Sequence, residues 1–111
     1  MTLPFGTIPS HEQFEAALPE DSGPYTAIFR DDACDLVMDM APDFLAGLDI
    51  RIVPYGAIDR AVRLMIRRDA IEPLIRALVM RQTRVALEVA EDLMRGIGIG
   101  WEPRTTEQVP E

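Results

Sequence analysis

Carboxylates crowd one stretch of this chain: Asp31, Asp32, Asp35, Asp39 and Asp43, with Cys34 among them. Residues of these types can do three kinds of chemistry. Clustered carboxylate oxygens can hold a divalent cation. They can present a negative field to a basic partner. They can also set the reactivity of a neighbouring thiol.

The cation reading meets two obstacles. Asp31-Asp-Ala-Cys-Asp35 has the Asp-Asp-x-x-Asp string with which terpenoid synthases hold magnesium and diphosphate. That chemistry needs a long helix lining a deep apolar cavity and a second acidic set facing it. A chain of 111 residues cannot enclose such a cavity, and it contains no Lys to meet a phosphate. The acids also lack the ligand spacing and the glycine of an EF-hand loop. Neither a metal nor a cofactor is expected. The thiol reading fares no better, because Asp32 and Asp35 beside Cys34 disfavour a thiolate, the reverse of activation. His11 is the one histidine. As a base for Cys34 it has no orienting third group in view, and next to Ser10 it reads as a solvated first-turn residue. No catalytic residue is assigned. Gly96-Ile-Gly-Ile-Gly100 follows a helical pattern instead of opening one, so it lacks the strand–loop–helix setting of a phosphate cradle.

The field reading survives. Residues 1–50 hold ten carboxylates against Arg30 alone, while residues 51–111 hold nine against ten Arg, and the formal net charge is −8. All eleven cations are Arg, and the chain has neither Lys nor Asn. An acidic chain is a poor match for phosphate contacts, so direct nucleic-acid binding is not expected. No apolar run approaches the ~20 residues of a membrane helix. The N-terminus has no secretory pattern, and a single cysteine suits a reducing compartment, so the expected location is cytoplasmic.

These carboxylates need elements to position them. Residues 1–9 read as an extended arm, broken by Pro4, Gly6 and Pro9. Ser10 and Gln13 form a capping box that opens a short helix, His11 to Leu18, ending at Pro19. Tyr25–Arg30 and Asp49–Tyr55 have strand composition, with Pro54 confining the second to an edge or an end. Residues 31–45 fit two readings. As a strand, Leu36, Met38 and Met40 line one face. As a helix capped by Asp31 or Asp32, Leu36, Val37, Met40, Phe44 and Leu45 face inward and the aspartates run down the other side. Residues 58–68 pose the same choice, and the alternation of Val62, Leu64 and Ile66 favours a strand.

From Asp69 the pattern is helical. Asp69-Ala-Ile-Glu72 resembles a capping box with Pro73 in the first turn, and helical spacing continues from Ile71 to about Arg95, with Gly96 as the stop. Gln82 falls in the middle of this apolar stripe, where a buried amide needs a partner or fixes register against a second helix. Met80, Leu87 and Met94 recur every seventh residue on the charged side, which suggests a dimer contact or second interface. Ile97, Ile99 and Trp101 alternate as in a last strand, and residues 102–111 read as a disordered tail.

The expected fold is a single α+β domain over residues 10–101. A small, mostly antiparallel sheet of three to four strands packs on one long C-terminal helix, with a short N-terminal helix. The expected function is a non-enzymatic acidic protein-binding module of the inhibitor or immunity type. Asp31, Asp32, Asp35, Asp39 and Asp43 would face a basic protein partner. The alternatives are a homodimeric scaffold or secretion-type chaperone built on the long helix, and a small-ligand binder or enzyme using Tyr25, Arg30 or Arg51.

Overall fold

A computed structural model describes residues 2–20, 23–54 and 60–103. In chain order its elements are β1 (Thr2–Leu3), α1 (His11–Ala17), β2 (Tyr25–Arg30) and α2 (Asp31–Met40), then β3 (Arg51–Pro54), β4 (Ala61–Ile66), α3 (Arg68–Arg81), α4 (Arg84–Gly96) and β5 (Gly100–Trp101). The expected tail falls mostly on residues 104–111, which lie outside the described residues. No described helix is long and apolar enough to cross a membrane.

Three strands make the main sheet, in the order β2-β4-β3, antiparallel throughout. Its register pairs Tyr25 with Ile66, Phe29 with Val62, and Arg51 with Met65. Alternation then sorts the side chains. Phe29, Val62, Leu64 and Ile66 enter the core, and Tyr25, Ala27 and Ile52 pack at its margin. The helices cover this face, and Phe14, Leu64, Ile75 and Met94 are fully shielded from solvent at the centre. No buried polar side-chain atom among the described residues lacks a hydrogen-bond partner.

α1 begins as its sequence dictates. The Ser10 hydroxyl accepts from Gln13 N–H at 3.2 Å, and the Gln13 side chain accepts from Ser10 N–H at 2.7 Å. The ambiguous acidic segment is a helix, α2, with Cys34, Val37 and Met40 turned inward. Pro42, without an N–H to extend the ladder, gives way to a wider π-helical turn (Ala41–Leu45) and a 3-10 turn (Ala46–Leu48). No side chain caps α2, whose N-cap is Arg30; Asp31 and Asp32 sit in its first turn, where the helix dipole favours negative charge.

The single long helix does not exist. α3 ends at Arg81, Gln82 takes a left-handed conformation (φ 57°), and Thr83 caps a second helix by accepting from Ala86 N–H at 3.2 Å. A straight helix would set the Gln82 amide in an apolar stripe and leave much of α4's apolar face bare. The break instead turns α4 back along α3, and the Gln82 amide donates to Val79 C=O at 2.7 Å at an exposed position. The Asp69–Glu72 box also fails to form: α3 starts at Arg68, its N-cap is Arg67 with no side-chain cap, and Pro73 lies inside it. At the other end Gly96 remains helical, and Gly98 takes the left-handed turn (φ 88°).

The last strand does not join the main sheet. β5 pairs in parallel with β1, Thr2 opposite Gly100 and Leu3 opposite Trp101. Trp101 Nε1–H donates to Thr7 C=O at 2.9 Å, and its ring lies 5.1 Å from Phe5. The segment expected as an arm thus runs against the end of the domain.

The break makes a prediction with a distinctive sign. In a continuous helix Thr83→Ala would stabilise by about 0.5 kcal/mol, because Ala is the better helix former. As an N-cap, Thr83 contributes about 1 kcal/mol, so the same change should destabilise by that amount in urea denaturation. A rise in stability would restore the straight helix.

Candidate functional site

α2 is placed by two attachments. β2 runs directly into it, and Asp31 N–H donates to Arg60 C=O at 2.8 Å, fastening its first turn to the start of β4. Its inward residues Cys34, Val37 and Met40 then fix its rotation. On the opposite side Asp31, Asp32, Asp35 and Asp39 are exposed, at the three- and four-residue spacings that put side chains on one face. Met38 stands exposed beside Asp35 on this face, with 49% of its surface accessible. Asp43 lies in the π-helical turn that follows, and its side chain is outside the described residues.

The acidic face is partly matched by cations from the second half of the chain. One Arg60 nitrogen lies 2.5 Å from an Asp35 oxygen and 3.4 Å from Asp32. Arg81, at the end of α3, stands 3.9 Å from Asp39. Arg67 approaches Asp49 at 3.5 Å, and Arg68 approaches Glu15 at 3.3 Å. The two halves that look so different in sequence are therefore interleaved on the surface. These pairs are exposed and of modest individual strength, so they set geometry and field more than stability.

Cys34 is buried, and its thiol pKa is pushed up, first by that burial and then by Asp35; Arg60 opposes the rise, and Asp31 adds the smallest contribution to it. His11 is engaged elsewhere, with Glu72.

That engagement is a feature sequence reading missed. His11 Nδ1 lies 2.8 Å from Glu72 Oε1, and Arg76 Nε–H donates to Glu72 Oε2 at 2.9 Å. Arg76 also reaches Pro9 C=O and lies over the Phe14 ring, 5.8 Å from its centre. His11 is thus not merely solvated, and Glu72 does not cap α3. Ligand-type atoms of His11, Glu15 and Glu72 fall within 4.8 Å of one another. Arg68 and Arg76 neutralise both carboxylates, so the cluster works as a latch between α1 and α3. The only legible hint was the i, i+4 pair Glu72–Arg76; its other partner is 61 residues away.

The proposed second interface dissolves. Leu87 and Met94 are buried, at 8% and 0% accessibility, whereas Met80 is exposed at 74%. The break at Gln82 rotates α4 relative to α3, so a seven-residue repeat that crosses it does not mark one line. Gln82, at the break, is not in a helical interface register either.

The outward side of the sheet has a different chemistry. By register it carries Thr26, Ile28 and Arg30 from β2, Arg63 and Met65 from β4, and Arg51 and Val53 from β3. None of Ile28, Val53 and Met65 belongs to the core, and Ile28 is 45% accessible. Beside this face, Gly23, Pro24, Asp49, Arg51, Met65 and Arg67 line a cavity of about 330 Å³. A second cavity of about 280 Å³ lies between β2 and the end of α4, lined by Tyr25, Ile66, Ile71, Leu93 and Ile97 among others.

The chain matches no protein-family model, no curated protein and no solved structure.

The latch carries a pH signature. Burial alone would raise the Glu72 pKa, but the hydrogen bonds from His11 and Arg76, with their charges, outweigh it and leave the carboxyl below its ordinary value of 4.5. A depressed carboxylate contributes stability above its unfolded pKa and loses it as pH falls through the folded one. Glu72→Gln should therefore destabilise by about 2 kcal/mol at pH 7 in urea denaturation. The difference from the parent chain should shrink as pH drops below 4.5. A difference that stays constant down to pH 3 would remove the latch.

Proposed function

We propose that this protein is a non-enzymatic binding module whose helix α2 engages a basic protein partner. The observation that carries the reading is the composition of one exposed helical face: Asp31, Asp32, Asp35 and Asp39 around the exposed Met38. Charge of one sign raises association rates and selects partners, while an apolar side chain that becomes fully desolvated supplies affinity. Arg60 and Arg81 offset part of the charge but leave the face negative, and they hold Asp35 and Asp39 in place before a partner arrives. Such preorganisation reduces the entropy lost on binding. An inhibitor or immunity-type role, in which this face covers a basic surface of another protein, fits that chemistry. The lone buried Cys34 is compatible with the reducing conditions of a cytoplasm.

The test uses a partner captured on the immobilised protein and then purified. Its association rate should fall as ionic strength rises. The double substitution Asp35→Asn, Asp39→Asn should slow association several-fold with little change in dissociation. Met38→Ala should act mainly on dissociation, speeding it about tenfold for the loss of roughly 1.4 kcal/mol. A complex indifferent to salt and to all three changes would overturn the proposal.

A further inference from the structure

The sheet ends in two edges that differ in what they offer a further strand. Asp31 N–H donates to Arg60 C=O at 2.8 Å, which continues the β2–β4 register one step beyond Arg30 and Ala61. Hydrogen-bonded and non-hydrogen-bonded pairs alternate along an antiparallel ladder. Tyr25, Ala27 and Phe29 therefore bond to β4, while the N–H and C=O groups of Thr26 and Ile28 point to the free edge. Among the described residues these groups have no hydrogen-bond partner, and both residues are exposed. The same alternation leaves Ile52 and Pro54 at the free edge of β3, a strand of four residues. Pro54 has no N–H, so that edge is closed to extension. β2 has six residues, with neither Pro nor a charge before Arg30.

An apolar cavity lies beside the open edge. Tyr25, Ala27, Ile66, Ile71, Leu93 and Ile97 line it, and its volume is about 280 Å³. A dry cavity of ~150 Å³ already holds a benzene ring, so this one accepts a Leu-sized side chain. Its exposed lining residues, Thr26, Asp92 and Gly96, place the mouth between the edge of β2 and the last turn of α4. There Arg95 lies 3.3 Å from Asp92 and 3.7 Å from Glu91. Two carboxylates share one guanidinium, and the mouth stays negative. The net charge of −8 adds to this preference for a basic occupant.

We infer that β2 receives an extended basic segment of a partner protein as a fourth strand of the sheet. Running antiparallel to β2, the segment exchanges backbone hydrogen bonds with Ile28 and then with Thr26. The residue between these two contacts points inward and fills the cavity. An apolar side chain opposite Ile28 packs on it across the strands, and an Arg or Lys opposite Tyr25 reaches Asp92. From its N-terminus the segment thus reads apolar, Leu, polar, basic. A second copy of this chain is a poor occupant. Pairing β2 with itself about Ile28 sets Asp31 of the copy opposite Tyr25, and the acidic first turn of its α2 then meets Asp92. The site uses no residue of the outward face of α2, so it goes beyond the proposed function and does not rest on it.

The probe is a fluorescein-labelled decapeptide with Val-Leu-Thr-Arg at its centre and Gly and Ser on both sides. It is titrated with the full chain and followed by anisotropy. The expected dissociation constant is on the order of tens of micromolar. Methylating the amide nitrogens of the peptide's Val and Thr, which face β2, should weaken binding more than tenfold. Methylation at the Leu amide, which faces away, should change it less than threefold. A Cβ at Gly96 meets no atom within 4 Å, so Gly96→Phe should keep the fold, close the mouth and weaken binding more than tenfold. Asp92→Lys should cost several-fold and steepen with falling salt. The pair Asp35→Asn, Asp39→Asn should leave binding unaltered. No binding up to roughly 1 mM chain, or equal binding by all methylated peptides, would overturn the inference. So would a loss caused by the Asp35 and Asp39 changes, which would put the peptide on α2. Self-association in sedimentation that Gly96→Phe abolishes would make the occupant a second copy instead.

Discussion

The fold depends on one interrupted helix. Gln82 accepts a left-handed backbone, which costs a non-glycine residue about 1–2 kcal/mol, and in return α4 lies back along α3. The return buries Ala86, Leu87, Val89, Ala90 and Met94, each of which would face water on a straight rod. At roughly 25 cal/mol per Å² of apolar surface, burying even one Leu or Met side chain outweighs the backbone cost. α4 also packs against α2, so the orientation of the acidic face follows from the same turn. Beyond α4 the chain can reach β1 and close the two ends of the molecule through Trp101.

Two layers with different surfaces result. The helical layer presents the aspartates of α2, tethered by Arg60 and Arg81, around Met38. The sheet turns Arg30, Arg63 and Arg51 to the other side, among Ile28, Val53 and Met65. The charge contrast that divides the sequence at about residue 50 is not the contrast that divides the surface. Folding brings Arg from the second half against carboxylates of the first, and it gathers on the sheet three Arg drawn from both halves.

What the sequence made legible was local. Tyr25–Arg30 reads as a strand because aromatic and β-branched residues fit a pleated, half-buried surface, and the Ser10–Gln13 box is complete within four residues. The alternation at Val62, Leu64 and Ile66 was likewise readable. α2 was open to two readings because its apolar residues satisfy both periods, and only packing against α4 and the sheet selects one. The break at Gln82 was hidden because Thr83 is an unremarkable residue until a second helix needs a cap there, and its misreading turned Met80, Leu87 and Met94 into an interface. At the candidate site the aspartates were legible as a group, but their partners were not. Arg60 joins Asp35 across 25 residues, and His11 joins Glu72 across 61. Such separations leave no periodic trace. The three Arg of the sheet's outer side were invisible as a group for the same reason, since they come together only once three strands are in register.

The distance between the start of α3 and the end of α4 tests the central claim most directly. Asp69 and Arg95 are exposed and can carry spin labels, with Cys34 replaced by Ser or left unlabelled in its buried position. In the folded-back arrangement Ile71 lines the same cavity as Asp92, Leu93 and Gly96, so double electron–electron resonance should give a label separation of about 20 Å or less. A separation near 40 Å, the ~1.5 Å rise per residue of an unbroken helix carried from Asp69 to Arg95, would contradict the account.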